Sequence, residues 1–269
     1  MPFEVDGKPV FATTGGRPHN PGEPLVVFLH GAGMDHSVFA LQSRWFAPHG
    51  WRVLAVDLPG HGASEGPFLT DIGALAQWTA RLIAGQGGKA ALVGHSMGAL
   101  IALATAARFP ESVSAIGLIG VGEKMPVHPD LLAAAKAGDH DAVDMVSIWG
   151  LGSTATRGGN PTPGQWMLGG AERLLERAPP GALYADLAAC NAYTGSVADA
   201  GRIICPAVFV LGERDMMTPA KSGLALATKI PRANVTIVPG AGHMLPIERP
   251  AETLRALGAG LIAEVAAFP

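Results

Sequence analysis

Ala90-Ala91-Leu92-Val93-Gly94-His95-Ser96-Met97-Gly98-Ala99 decides how this chain folds. Four apolar residues of strand length lead into a serine between two glycines. A run with helical character, Ala99 to Arg108, follows. The pattern reads as strand, sharp turn, helix. A serine at the apex of so tight a turn takes a strained backbone conformation with positive φ. The flanking chain then passes too close for a Cβ, so Gly94 and Gly98 carry none. The turn lifts the Ser96 hydroxyl out of the sheet. It leaves the Met97 N–H free at a helix start, where developing negative charge is favoured.

The segments around this turn alternate. Leu25 to Leu29 is a continuous apolar run, as expected of a strand buried on both faces, and it ends at His30-Gly31-Ala32-Gly33. A helix is expected over Ser37 to Ala47, a strand over Trp51 to Val56, and a helix over Asp71 to Ile83. A strand over Val113 to Ile119 follows the helix after Ser96. Phe3 to Gly7 and Val10 to Thr13 read as a short N-terminal hairpin. Strand and helix in alternation predict an α/β fold: a mostly parallel central sheet with helices on both faces.

Beyond Val121 the alternation stops. Up to about Ala200 only short helices are expected: Pro129 to Ala137, Asp141 to Trp149, Pro163 to Met167, Ala171 to Arg177 and Ala182 to Ala192. The alternation resumes with a strand over Ala207 to Leu211, a helix over Pro219 to Lys229, a strand over Val235 to Val238 and a helix from Pro250 to about Ala267. Residues 1–120 and 201–269 therefore form one core, and 121–200 an inserted helical lid. Ligands of open parallel sheets bind at the carboxyl ends of the strands, where the lid should lie.

A serine hydroxyl needs a base, and the base needs a group that orients it and stabilises its cation. His243, in Pro239-Gly240-Ala241-Gly242-His243-Met244, follows the last strand; the small residues before it suggest a flexible loop. Asp215, in Leu211-Gly212-Glu213-Arg214-Asp215, follows the strand before that. Each of Ser96, Asp215 and His243 lies just beyond a strand's carboxyl end. Glu123, past the strand ending at Ile119, is the rival acid. His30 and Asp57 read as structural residues, and His49 and His61 as surface loop residues.

With these residues in place, the chain resembles the α/β-hydrolase fold superfamily along its whole length except the lid. Gly94 to Gly98 resembles its nucleophile elbow, and His30-Gly31 its HG motif. Asp57-Leu58-Pro59-Gly60-His61-Gly62-Ala63-Ser64 is similar to its D-x-x-G-x-G-x-S turn. The resemblance implies a triad of Ser96, Asp215 and His243, and an oxyanion hole made by the N–H groups of Ala32 and Met97. In detail it is similar to the small, lid-bearing esterase, C–C hydrolase and cofactor-free haloperoxidase-like members. The expected activity is hydrolysis of carboxylic esters of small to medium apolar substrates through an acyl-enzyme. C–C hydrolysis, lactone opening and peracid formation reuse the same groups and stay open, as does a ligand receptor with little turnover. For C–C chemistry Arg157, Arg173, Arg177 and Asn191 are the candidate polar groups. His95, Met125, Trp149, Trp166 and Met244 are the candidate substrate-lining residues.

Composition narrows the classes. With 269 residues, 48% of them hydrophobic, there is material for one large core. A net charge of −3 without a Lys/Arg cluster argues against nucleic acid. No metal-ligand spacing and no phosphate-binding fingerprint is present, so neither metal nor cofactor is expected. Two cysteines, Cys190 and Cys205, read as free thiols of a reducing compartment. With no secretory signal and no membrane-spanning run, a cytoplasmic enzyme of a small-molecule ester is expected, as monomer or homodimer.

Overall fold

The computed structural model describes residues 3–157, 161 and 165–265. β1 (Phe3–Val5) and β2 (Lys8–Val10) form an antiparallel hairpin, and β3 (Ala12–Thr13) leaves it to pair antiparallel with residues of a later strand, β5 (Arg52–Val56). The expected single hairpin is thus split, its last strand capping the main sheet's edge. β4 (Leu25–Leu29) leads through a turn of 3₁₀ helix into α1 (Ala40–Phe46), which is shorter than expected. β5 (Arg52–Val56), α2 (Ile72–Gly85), β6 (Ala90–His95), α3 (Met97–Arg108) and β7 (Val113–Ile119) follow. Asp71 is the N-cap of α2, accepting from the Ala74 N–H at 2.8 Å.

Among the described residues, six helices come before the next strand: α4 (Pro129–Ala137), α5 (Asp141–Gly150), α6 (Ser153–Thr156), α7 (Met167–Glu176), α8 (Ala182–Ala192) and α9 (Ser196–Ala200). The expected helix from Pro163 begins outside the described residues, and α7 takes up Met167 at its own start. The chain ends with β8 (Ala207–Gly212), α10 (Ala220–Ala227), β9 (Ala233–Val238), α11 (Leu245–Glu248) and α12 (Pro250–Val265).

The seven-stranded sheet runs β3-β5-β4-β6-β7-β8-β9, parallel throughout except for β3. Alternate residues of its central strands feed two separate cores. Val27, Leu29, Leu92, Leu118 and Phe209 pack with α2, α3 and α10 on one face. Val26, Phe28, Val93, Ala115 and Val210 pack with α1 and α12 on the other, where the same core continues into α4, α5 and α7. Because both faces are covered, the strands read as unbroken apolar runs. Among the described residues, no helix is long and apolar enough to cross a membrane.

Candidate active site

At the turn from β6 into α3, Ser96 has φ 54° and ψ −115°. Asp6 is the other non-glycine residue with positive φ among the described residues. What holds the strain is visible. The Ser96 N–H donates to the Ile119 carbonyl of β7 at 2.9 Å. A Cβ on Gly94 would stand 2.0 Å from the Gly98 carbonyl oxygen, and one on Gly98 2.0 Å from that of Leu29. The turn therefore closes only with glycine at both places. Met97 is the first residue of α3, and no acceptor for its N–H is found among the described residues.

His243 and Asp215 meet across the ends of β9 and β8, with Nδ1 to Oδ2 at 2.8 Å. Both side chains are buried. Asp215 is fully engaged: Oδ1 accepts from the Met217 and Thr218 N–H groups, at 2.9 and 2.7 Å, and Oδ2 also from the Thr218 hydroxyl at 2.7 Å. Burial alone would raise this carboxyl; its interactions with His243 and Thr218 outweigh that and hold it below the ordinary value. With Nδ1–H facing a carboxylate, Nε2 is the ring's basic nitrogen. Glu123, the rival acid, instead joins Ser222, whose Oγ accepts its backbone N–H at 3.0 Å.

Two features of this pair escape any motif. Gly120 follows β7 directly with φ +60°, and a Cβ there would lie 3.0 Å from both Cε1 and Nδ1 of His243. Thr218, three residues past Asp215, also stands 3.1 Å from His243 Nδ1. The loop before His243 is clamped, contrary to the flexibility its small residues suggest. The N–H groups of His243 and Met244 both donate to the Gly150 carbonyl, at 2.7 and 2.9 Å. A Cβ on Gly242 would stand 2.4 Å from the Gly152 nitrogen, and one on Gly212 2.1 Å from the Gly242 oxygen. These glycines serve close packing. Behind them Glu248 is fully buried; its Oε2 accepts from the Gly152 N–H at 3.1 Å, while Oε1 has no partner among the described residues.

Ser96, His243 and Ala32 open into one cavity of about 840 Å³. Its wall is mainly apolar, with Met125, Leu131, Trp149, Leu183 and Leu187 among the lining residues. Lys124 and His128, both exposed, join the lining and were not foreseen. Of the expected lining residues, Met125 and Trp149 are in place, and three are not. His95 is fully buried behind the site, its Nε2–H donating to the His243 carbonyl at 2.9 Å. Its Nδ1 has no partner among the described residues, and burial pushes the ring down to about 3, so it is a neutral prop for the base loop. Met244 is buried against Gly150, outside the cavity. Trp166 is 71% exposed, its ring lying over Gly169.

Of the candidate polar groups, Arg173 pairs with Glu176 and Arg177 with Asp35, at 2.6 and 2.7 Å. Asn191 Oδ1 accepts from the Val127 N–H at 3.0 Å. Neither these three nor Arg157 lines the cavity. Asp35, His36 and Asp57 bring one potential metal-ligand atom each within 4.8 Å, a grouping that sequence spacing did not reveal. Their oxygens and nitrogen are committed to one another and to nearby N–H groups: His36 Nδ1 and its N–H both reach Asp57 Oδ1 at 2.8 Å, and the Ala63 N–H reaches Oδ2 at 2.9 Å. They fasten the Asp57 turn. Cys190 and Cys205 are free and buried, and burial raises both thiols, Cys205 to about 11.

Comparison with known proteins bears on the family and the fold. The sequence profile of the Alpha/beta hydrolase family matches residues 26–256. The pimeloyl-[acyl-carrier protein] methyl ester esterase of Chromobacterium violaceum is 31% identical, over 87% of this chain and 92% of its own. The 2-hydroxy-6-oxononadienedioate/2-hydroxy-6-oxononatrienedioate hydrolase of Burkholderia vietnamiensis is 30% identical, over 82% and 81%. Among solved structures, the enol-lactonase of Burkholderia xenovorans LB400 superposes with a TM-score of 0.85 at 22% identity, covering 96% of this chain and 98% of its own.

Proposed function

The chain belongs to the alpha/beta hydrolase family, and from that premise we propose that it is a serine hydrolase of carboxylic esters with small to medium apolar groups. The observation that carries this reading is the buried 2.8 Å Asp215–His243 pair, whose histidine shares with Ser96 the wall of an apolar cavity. Ser96 Oγ attacks the ester carbonyl while His243 Nε2 takes its proton. The imidazolium so formed is stabilised by Asp215, and it returns the proton to the leaving alcohol. The N–H groups of Met97 and Ala32 receive the oxyanion of the tetrahedral intermediate. His243 then activates a water that releases the acid and restores Ser96. Met125 and Trp149 flank the substrate's apolar part.

Segment 121–200 acts in this reading as the lid over the strand ends. Supporting an ester over a diketone, the described cavity lining contains no arginine and, besides His243 itself, only Lys124 and His128 as basic side chains. The esterase relative, whose named substrate is a methyl ester, points the same way. C–C hydrolysis is the second reading, favoured by the relative from Burkholderia vietnamiensis. Two buried free thiols suit a reducing compartment, and we place the enzyme in the cytoplasm.

A fluorophosphonate should label Ser96 in the wild type and nothing in Ser96→Ala. That variant should fold and hydrolyse p-nitrophenyl butyrate at background rate. Retained turnover refutes the assignment, and faster turnover of a vinylogous diketone than of any ester selects the second reading.

A further inference from the structure

Asp186 lies on α8, within the segment between β7 and β8, yet its carboxylate serves the core. Its Oδ2 accepts from the Gly33 N–H at 2.9 Å, a contact spanning 153 residues. The same oxygen stands 2.9 Å from His61 Nε2, on the turn after β5. Asp186 is 1% exposed and His61 2%, so His61 is not the surface loop residue its sequence position suggests: the Asp186 carboxylate holds it inside. A buried carboxylate without a cation would be costly, so this pair is built for its place.

His61 is the cation. Its Nδ1 faces the Pro59 carbonyl at 3.1 Å, and a carbonyl can only accept. Its Nε2 faces the Asp186 carboxylate. Both ring nitrogens therefore carry hydrogen. Burial pulls this imidazole down, but the Asp186 hydrogen bond and charge outweigh that and raise it above its ordinary value. The other groups facing it are the His30 ring, 5.0 Å away and neutral because burial lowers it to about 4, the Asp57 carboxylate, and the apolar Phe68 ring at 5.3 Å.

Gly33 is where such an anchor matters. It follows Ala32 in the loop after β4 and has φ +67°. Glycine tolerates both signs of φ, so the Ala32–Gly33 peptide can flip at little cost. Without a partner that plane can turn about ψ of Ala32, and the loop that carries the Gly31–Ala32 amide is free to shift with it. Bonding the Gly33 N–H to a fixed carboxylate removes that freedom. Leu183, one turn before Asp186, closes on the same glycine, where a Cβ would stand 2.9 Å from its Cδ1.

We propose that Asp186, held by His61, is a positioning residue that locks the Gly33 amide and thereby aims the Ala32 N–H at the oxyanion. This rests on the serine-hydrolase reading. It makes the segment between β7 and β8 a part of the oxyanion hole's support, beyond any role as a cover.

The test compares Asp186→Ala and Asp186→Asn with the wild type on p-nitrophenyl butyrate from pH 6 to 10. Removing an oxyanion donor costs about 100- to 1000-fold in kcat, and misaiming one costs part of that. Asp186→Ala should lose about 10- to 100-fold in kcat with KM changed less than about threefold. Asp186→Asn keeps an oxygen for the Gly33 N–H and should recover at least about tenfold of that loss. The wild type should lose kcat at alkaline pH as His61 gives up its proton. Asp186→Asn, with no buried charge to pair, should lack that limb. Wild-type kcat in Asp186→Ala, or equal losses in both variants, overturns the proposal. If the alanine variant does not fold, the asparagine variant's pH profile decides alone: a retained alkaline limb overturns it. Fluorophosphonate labelling of wild-type Ser96 is read first, since its failure sinks the serine-hydrolase reading and leaves a result distinct from any Asp186 effect.

Discussion

Gly120→Ala separates two costs that usually come together. Gly120 has φ +60°, and a new Cβ would lie 3.0 Å from His243 Cε1 and Nδ1. Holding an alanine in the left-handed region costs about 1–2 kcal/mol. Carbon atoms settle about 3.5–4.0 Å apart, so the imidazole must also retreat by about 0.5 Å. The ring cannot retreat freely, because Asp215 and Thr218 hold Nδ1 and its backbone N–H is bonded to Gly150. A 1 Å misplacement near the reacting atoms costs about 100-fold, so half of that should cost about tenfold in kcat. Gly138 supplies the control: it ends α4 with φ +71°, and nothing lies within 4 Å of a Cβ there. Gly138→Ala should show the conformational cost alone, a Tm lower by about 2–8 °C. Gly120→Ala should show a comparable or larger fall and, unlike Gly138→Ala, a tenfold lower kcat on p-nitrophenyl butyrate. If both variants keep wild-type kcat, the close fit of Gly120 against the imidazole has no bearing on turnover and the reasoning fails.

Asp215→Asn should retain the fold and lose about 10⁴-fold in kcat, since an amide stabilises the wrong tautomer of its histidine. Asp215 is held below its ordinary value, so the stability it contributes is complete above about pH 4 and drains as pH falls further. Urea unfolding at pH 7 and pH 3 should therefore show the variant's deficit shrinking in acid, and a constant deficit would contradict the shift. Glu248 behaves oppositely: burial raises it, so folding favours its protonated form, and its contribution is lost as pH rises from about 4.5 through the raised value. Glu248→Gln should flatten the pH dependence of stability above about pH 4.5, and a variant whose stability falls with pH as steeply as the wild type's would refute this. Along a series of acyl chains, kcat/KM should climb about fourfold per methylene until the cavity is full, following about 0.8 kcal/mol each. A short dicarboxylic half-ester should fall below its uncharged equal, and the reverse order would mean that Lys124 or His128 reaches the substrate carboxylate.

What could be read in the sequence was what depends on near neighbours. The turn at Ser96 announces itself through Gly94 and Gly98, whose clashes lie within a few residues or on the adjoining strand end. Asp215 and His243 announce themselves by following strands, because a parallel sheet puts every such position on one edge. Residues whose partners are remote carried no signal. Gly120 is one of 36 glycines, and only the folded sheet puts His243 against it. Asp186 sits among alanines and leucines of α8, with its partners at Gly33 and His61. Apolar character foretold burial for Met244 but not which cavity it would face, and it failed for Trp166, which lies over Gly169 in the open. The run Pro239 to Gly242 looked mobile because small residues serve looseness and close packing equally well; here they fit against Gly152 and Gly212.

The clamp between Gly150 and the His243 loop bears on how such enzymes can be rebuilt. Exchanging the stretch between β7 and β8 for one from another family member is an obvious way to borrow a new specificity. In this chain that stretch donates the carbonyl on which two consecutive amides of the base loop hang. A transplant cut at the ends of β7 and β8 would discard that carbonyl with the rest. The recipient would keep its three reactive side chains and lose the scaffold that fixes one of them. A workable graft has to preserve the backbone path of Gly150 to Gly152, making the exchangeable unit smaller than the stretch between the two strands.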